Sequence, residues 1–310
     1  MILCGITFIP GEKKQVKIPV PGGEALEAIV LCGSSPGKTL VITAGVHGCE
    51  YVGILALQKL ADVLERSEFS GQVILLQLVN PNGFFSGVKQ LNPADGRNIN
   101  REFPGKADGT ETQRIAWAIE SFLYPEADFI LDIHGGDWNE ELMPLVFFPC
   151  GAGEKLKDET RKAAEALSVP VRVRSTAQNG LYSWAAQKGI PALLLERGGN
   201  GRWNSEEVDA DCEDVFRLMK HLDMIKDDFC AVRQTEIVKA VYEECPADGY
   251  WFPEVSAGQK VDEGALLGTW KSADGTQSCE FRAKFAAVIL YEITALGVSR
   301  YDLLIAYGTE

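Results

Sequence analysis

Between residues 24 and 222, short apolar runs of four to seven residues alternate with longer amphipathic stretches. Runs this short and this continuous are typical of strands that are buried on both faces of a sheet. The stretches between them carry apolar residues at helical spacing. Few arrangements satisfy both patterns, because every strand then needs helices packed on either side of it. The sequence therefore predicts an α/β fold in which a central sheet has helices on both faces.

The periodicity also predicts where these elements lie. Strands are expected at 25–31, 39–45, 73–79, 129–133, 145–149, 171–174 and 192–196. Helices fit between them at about 50–66, 111–123, 154–167, 181–188 and 205–221.

The pattern changes near residue 225, where short β-like runs follow one another between Gly, Asp and Pro turns and helical periodicity ends. We therefore predict one large domain over 1–228 and a small β-sandwich or barrel over 229–310. Within the small domain, residues 255–270 and 293–308 share an apolar start, a glycine and a closing Leu-rich run. This similarity indicates an internal duplication.

The charge of the chain argues against several classes of partner. Acidic residues outnumber basic ones by 44 to 30, which gives a formal net charge of −14. Such a surface repels nucleic acid and anionic membranes, so we expect neither as a partner. No apolar run approaches the roughly 20 residues that cross a bilayer, and the N-terminal residues lack the pattern of a secretory signal. The eight cysteines are scattered singly, and we predict a cytoplasmic protein.

Two of the three histidines follow predicted strands. His47 and Glu50 lie in GVHGCE after the strand at 39–45, and His134 follows the strand at 129–133 in ILDIHGGD. Ligands of open α/β sheets bind beyond the carboxyl ends of the strands, so these three side chains can converge. Their nitrogen and oxygen atoms suit Zn²⁺. We predict one Zn²⁺ per chain at this position, while Asp132 either bonds an imidazole or caps the turn.

A carboxylate ends the buried strand at 192–196 in PALLLERGG. Hydrolysis of an amide needs a base for the attacking water and an acid for the departing amine, and a glutamate with a raised pKa can serve as both. We predict Glu196 in this role. The alternative is a structural salt bridge, for example with Arg197.

The loop at 80–105 is long and rich in Asn, Gly, Pro and Arg. Loops of this length without their own secondary structure are commonly functional. In it, Asn100 and Arg101 place an amide beside a guanidinium that can bind a carboxylate in two-pronged fashion. Alternatively, Arg101 only braces the loop. Arg172, Arg174 and Arg202 are further candidates for a second carboxylate.

In their order along the chain, GVHGCE, NPNGF, NINREFPG, DIHGG and LLLERGG resemble the succinylglutamate desuccinylase and aspartoacylase family, which is related to the zinc carboxypeptidases. The resemblance covers about residues 30–200. It implies a mixed central sheet, zinc bound by His47, Glu50 and His134, and a catalytic Glu196. It also implies that Asn100 and Arg101 bind a substrate carboxylate, and that the C-terminal segment is the small β domain of this family.

The chain departs from the family's pattern at two positions. Lys89 stands twelve residues before Arg101, where relatives tend to carry an arginine that polarises the scissile carbonyl. A lysine can stabilise an oxyanion there, but as a point charge, and we predict Lys89 as a second catalytic residue. Relatives also often read D-x-N-R where this chain has Asn98, which keeps a hydrogen bond but loses a charge.

The resemblance thus implies a zinc-dependent amidohydrolase that removes the acyl group of a small N-acyl amino acid or N-acyl amine. One rival is a metallocarboxypeptidase that uses the same centre on peptides. The other is a non-catalytic relative that binds zinc or a ligand. The expected partner is a small molecule, and a homo-oligomer is left open.

Overall fold

All seven apolar runs form strands of one sheet in the computed structural model, which describes residues 2–310. The strands, in chain order, are β1 (Ile2–Leu3), β2 (Ile6–Thr7), β3 (Lys13–Ile18), β4 (Leu26–Cys32), β5 (Ser35–Ala44), β6 (Ser70–Leu76), β7 (Phe129–His134), β8 (Glu140–Leu142), β9 (Leu145–Pro149), β10 (Val171–Ser175), β11 (Ala192–Glu196), β12 (Thr235–Ile237), β13 (Lys239–Glu244), β14 (Gly249–Pro253), β15 (Lys260–Val261), β16 (Leu266–Ser272), β17 (Ser278–Arg282), β18 (Ala287–Ile293), β19 (Gly297–Val298) and β20 (Leu303–Thr309).

The five predicted helices are present and a short sixth is added. They are α1 (Tyr51–Glu65), α2 (Pro81–Ser86), α3 (Glu111–Phe122), α4 (Glu154–Ala166), α5 (Leu181–Gln187) and α6 (Ser205–His221). Single 3₁₀ turns occur at Ile99–Arg101 and Tyr124–Glu126. Sequence reasoning missed α2, which is only six residues long, and β3, whose alternating polar residues lie at the exposed edge of the sheet.

The central sheet has nine strands in the order β12-β10-β9-β11-β7-β5-β6-β4-β3. Strands β6, β5, β7 and β11 run parallel, whereas β3 and β4 at one side, and the β9–β11 junction at the other, are antiparallel. The predicted mixed sheet is therefore confirmed. Because β5, β7 and β11 are parallel neighbours, their carboxyl ends lie side by side at one edge.

Helices cover both faces of this sheet, as predicted. One apolar core joins α1, α4 and α6 to one face, and a second joins α3 and α5 to the other. Gly53 allows α1 to approach the sheet closely, since a Cβ at this position would lie 2.6 Å from Ile133 Cγ2. This close approach brings the first turn of α1 beside the end of β7.

The C-terminal residues form two antiparallel sheets, which confirms the small all-β region. One sheet has the order β13-β20-β18-β15 and the other β17-β16-β14-β19. The duplicated segments occupy equivalent places in them, because β14 pairs with β16 and β19 while β18 pairs with β20 and β15. The short strand of each half, β15 or β19, thus pairs with a long strand of the other half.

Two strands connect the large and small parts of the chain. β12 pairs with β10, so the central sheet continues past residue 229, and the boundary at 228/229 stays a prediction. β8, which follows β7 in sequence, leaves the central sheet and pairs with β18 of the small region. Among the helices of residues 2–310, none is both long and apolar enough to cross a membrane.

Candidate active site

The side chains predicted to bind metal meet at the carboxyl edge of β5 and β7. After β5 the chain turns at Gly45, whose φ of 66° favours glycine, and α1 begins at Tyr51. Glu50 occupies the N-cap position of α1 but makes no capping bond, and its carboxylate faces the histidines instead. His134 is the last residue of β7.

His47, Glu50 and His134 form one buried cluster. Glu50 Oε1 lies 2.6 Å from His47 Nδ1, and Glu50 Oε2 lies 2.9 Å from His134 Nδ1. One ligand atom from each residue can be chosen so that all three lie within 4.8 Å of one another. The three residues are 8%, 7% and 2% exposed in chain order. The geometry brings together the three residues that the sequence singled out.

The donor set fits a zinc ion. Two imidazole nitrogens and a carboxylate oxygen are the ligands of many catalytic zinc sites, which keep a further position open. Glu50 Oε2 is buried and makes no hydrogen bond, although His134 Nδ1 lies 2.9 Å from it. Burial raises the pKa of Glu50, but the two imidazoles outweigh this effect and lower the pKa to about 2. An ionised carboxylate with an unpaired oxygen would be satisfied by a cation.

The Nε2 atoms of the two histidines contact different kinds of residue. His134 Nε2 lies 3.0 Å from Asp132 Oδ2, and Thr43 Oγ1 donates to Asp132 Oδ1 at 2.7 Å. Of the two alternatives for Asp132, the structure shows the bond to an imidazole. His47 Nε2 instead lies 3.1 Å from Asn98 Oδ1. Each imidazole is therefore held so that its Nδ1 faces Glu50.

Glu196 ends β11, directly opposite His134 in the parallel register. Its Oε2 atom is buried and has no hydrogen-bond partner. The salt bridge considered for it is absent, because the Arg197 guanidinium binds Asp211 Oδ1 at 2.7 Å and Asp214 Oδ2 at 2.6 Å. Burial raises the pKa of Glu196 well above its ordinary value. The charge of Glu50 raises it further, whereas that of the facing His134 opposes the shift.

Asn100 and Arg101 lie in the 3₁₀ turn that Asn98 caps. Asn100 is buried, and its Oδ1 accepts a hydrogen bond from the backbone N–H of Leu181 at 2.8 Å. One guanidinium nitrogen of Arg101 donates to the Asn100 carbonyl, and within residues 2–310 no carboxylate pairs with Arg101. Burial raises the pKa of Tyr291 in β18, and the positive charge of Arg101 opposes this shift. Arg101 is therefore available to an anionic ligand.

Lys89 lies between two carboxylates. It does not belong to the cluster of candidate metal ligands. Its Nζ is 3.8 Å from Asp137 Oδ2 and 3.7 Å from Asp302 Oδ1. Asp137 is buried, and it also accepts hydrogen bonds from Cys49 Sγ and Gln90 Nε2. Lys89 thus joins the loop at 80–105 to the small region, and its catalytic role stays a prediction.

Three residues near the site carry no sequence signal that identifies them. Glu140 belongs to β8, and Tyr242 and Tyr291 belong to β13 and β18 of the small region. The two tyrosine rings have centroids 6.2 Å apart. Burial raises the pKa of both tyrosines, and the charge of Glu196 adds to the shift in each case. The small region therefore contributes two tyrosines whose pKa values respond to the charge of Glu196.

Two of the further arginine candidates lie elsewhere. Arg172 Nε is 3.0 Å from Glu236 Oε2, and an Arg174 guanidinium nitrogen is 2.7 Å from Glu236 Oε1. These contacts attach β12 to β10, so both arginines hold the edge of the central sheet.

Comparison with known proteins identifies relatives of similar length. The profile of the succinylglutamate desuccinylase/aspartoacylase catalytic domain matches residues 36–222. The N-alpha-acetyl-L-2,4-diaminobutyric acid deacetylase of Halomonas elongata is 24% identical over 289 residues, which cover 88% of this chain and 84% of the relative.

Solved structures share the whole fold. The product-bound ectoine utilization protein EutE (DoeB) from Ruegeria pomeroyi superposes with a TM-score of 0.87 at 22% identity, covering 97% of this chain and 98% of that one. A succinylglutamate desuccinylase/aspartoacylase from Rhodobacter sphaeroides gives a TM-score of 0.86 at 27% identity, with coverage of 100% and 99%.

Proposed function

Because the chain belongs to the succinylglutamate desuccinylase/aspartoacylase family, we propose that it is a zinc-dependent deacylase acting on a small N-acyl amino acid or N-acyl amine. The observation that carries this proposal is the convergence of His47, Glu50 and His134 beside a Glu196 whose buried oxygen has no partner. A binding protein has no need for an unpaired buried carboxylate there, because leaving it unsatisfied costs free energy.

His47, Glu50 and His134 would hold the zinc ion. When bound, the ion supplies Lewis-acid chemistry, since it polarises a carbonyl and makes water more acidic. Glu196 removes a proton from the attacking water, whose oxygen then bonds to the carbonyl carbon. Glu196 delivers that proton to the amide nitrogen as the carbon–nitrogen bond breaks, which releases an acid and an amine. Burial raises the pKa of Glu196, so this carboxyl holds a proton more readily than an exposed glutamate does, which suits its return of the proton to the amine.

Arg101 would position the substrate. Its guanidinium has no carboxylate partner in residues 2–310, and it lies in a turn whose geometry Asn98 and Asn100 fix. A carboxylate on the substrate can pair with this guanidinium. The pairing would offset the long-range repulsion between an anionic substrate and a protein whose net charge is −14. This pairing favours N-acyl amino acids over neutral amides.

The name of the curated relative supports N-acetylated amino acids as the first substrates to test, including those with a second amino group. Lys89 is proposed as an auxiliary group. It would stabilise negative charge on the carbonyl oxygen once its contacts with Asp137 and Asp302 are exchanged for the substrate.

The deciding experiment is an assay of zinc-loaded protein against N-acetyl and N-succinyl amino acids, N-acetyl diamines and dipeptides, with release of free amine as the readout. We expect turnover of N-acyl amino acids, and Glu196→Gln should lower kcat by two to four orders of magnitude while zinc stays bound. Preferential cleavage of dipeptides would establish the carboxypeptidase alternative. An unimpaired Glu196→Gln enzyme would remove Glu196 from the mechanism.

A further inference from the structure

The two ligand histidines differ in the charge of the group behind them. Behind His134 stands the carboxylate of Asp132, which Thr43 holds in place. Behind His47 stands the side chain of Asn98, which is neutral. A carboxylate behind a ligand imidazole raises its basicity, and outer contacts of this kind change metal affinity by about 10- to 100-fold. The two halves of the site are therefore unequal.

The orientation of the Asn98 amide follows from a second contact. Its Oδ1 accepts a hydrogen bond from the backbone N–H of Asn100 at 2.8 Å. Turning the amide over would point its NH₂ group at that N–H, and two donors would face each other. Oδ1 must therefore face His47 as an acceptor. His47 donates from Nε2 to Asn98, which leaves Nδ1, on the side of Glu50, as the nitrogen whose lone pair can bind a metal ion.

The same oxygen serves two parts of the site. Asn98 is the N-cap of the turn Ile99–Arg101, which carries the proposed carboxylate-binding arginine. Asp is as good an N-cap as Asn, because its carboxylate accepts the same backbone bond. Replacing Asn98 with Asp consequently preserves the turn and the contact with His47 and changes the charge alone.

We propose that Asn98 is a positioning residue that fixes the tautomer of His47 and joins it to the Arg101 turn, and that its neutral amide keeps metal affinity below what a carboxylate there would give. The proposal rests on the proposed function in one respect, which is that His47 is a metal ligand.

The test measures the zinc dissociation constant of purified, metal-free protein by competition with a chromogenic chelator. Asn98→Asp should bind zinc about tenfold or more tightly than the unmodified chain. Asn98→Ala, which loses the contact, and Asp132→Asn, which loses the charge behind His134, should each bind about 10- to 100-fold more weakly. A lesion that only disturbs folding cannot tighten binding, so the Asn98→Asp result separates positioning from structural damage.

Two controls keep the outcomes distinct. Asn204→Asp makes the same chemical change at the N-cap of α6, where the side chain accepts from the backbone of Glu207, and it should leave the constant unchanged. His47→Ala should abolish tight binding. If His47→Ala abolishes binding while Asn98→Asp stays within twofold of the unmodified chain, this inference is wrong. If His47→Ala binds zinc normally, the proposed metal site itself is wrong.

Discussion

Removing the Arg197 guanidinium is expected to destabilise the fold strongly and in a pH-dependent manner. Arg197 is 8% exposed, and its two partners, Asp211 and Asp214 of α6, are fully buried. Removing one partner of a buried ion pair typically costs 3–5 kcal/mol, because the remaining charge is left uncompensated. Arg197→Met keeps the length of the side chain and leaves two such carboxylates. We therefore expect a loss of about 3–5 kcal/mol, a large part of the roughly 5–15 kcal/mol that stabilises most proteins.

The pH dependence follows from the sign of the shift in pKa. Even beside Arg197, burial raises the pKa of Asp211 to about 7 from an ordinary value of 3.8. A raised pKa in the folded state means that stability is present at low pH and is lost as the pH rises through the folded-state value. Without the Arg197 guanidinium, the folded-state pKa of Asp211 rises further. The deficit of Arg197→Met should consequently be larger at pH 8 than at pH 5.5.

The assay is urea denaturation of metal-free protein at both pH values, followed by circular dichroism and by fluorescence. Arg282→Met is the matched control, because Arg282 pairs with Glu280 on the surface and should change stability by less than about 1 kcal/mol. A triple variant in which Asp211 and Asp214 also become Asn should recover part of the loss at pH 8. A loss below about 1 kcal/mol, or an equal loss at both pH values, would refute the reasoning.

Two further predictions concern Glu292 and the metal site. Burial and the neighbouring Glu141 raise the pKa of Glu292 to about 7 from 4.5. The folded state should therefore lose stability as the pH rises through this range. Glu292→Gln should stabilise the protein by roughly 2–3 kcal/mol at pH 8 and little at pH 4, as measured by denaturation. Zinc at about 100 times its dissociation constant should stabilise the folded state by about 2.7 kcal/mol, seen as a rise in Tm of several degrees. His134→Ala should abolish this rise, and an equal rise in that variant would contradict the metal site.

Much of the large domain could be predicted because its strands have a strong pattern. Both-face burial makes β7 and β11 continuously apolar, so the polar residues that end them, His134 and Glu196, are conspicuous. The convergence of such strand ends was predicted from the general rule for open α/β sheets, and in the structure β5, β7 and β11 are parallel neighbours. By contrast, β8 was missed because its three residues include two glutamates and its partner strand lies some 150 residues later in the chain.

The contributions of the small region could not be predicted for a related reason. Tyr242 and Tyr291 are ordinary strand residues in sequence, and only the pairing of β13 and β18 with β20 places them side by side. The catalytic role of Lys89 stays a prediction, and its contacts with Asp137 and Asp302 depend in part on a turn near the C-terminus that no local pattern reveals. Likewise, that Arg197 faces α6 and not Glu196 is a consequence of packing.

The pairing of β8 with β18 determines what kinds of motion and dissection the molecule permits. The backbone hydrogen bonds of this pair tie a segment only six residues after His134 to the sheet that carries Tyr291. A hinge rotation of one region against the other would have to break this ladder or carry β8 along with the small region. A fragment beginning at residue 238 would also expose the unpaired edge of β18, and such edges promote aggregation. We therefore expect the small region to be less stable in isolation than as part of the whole chain.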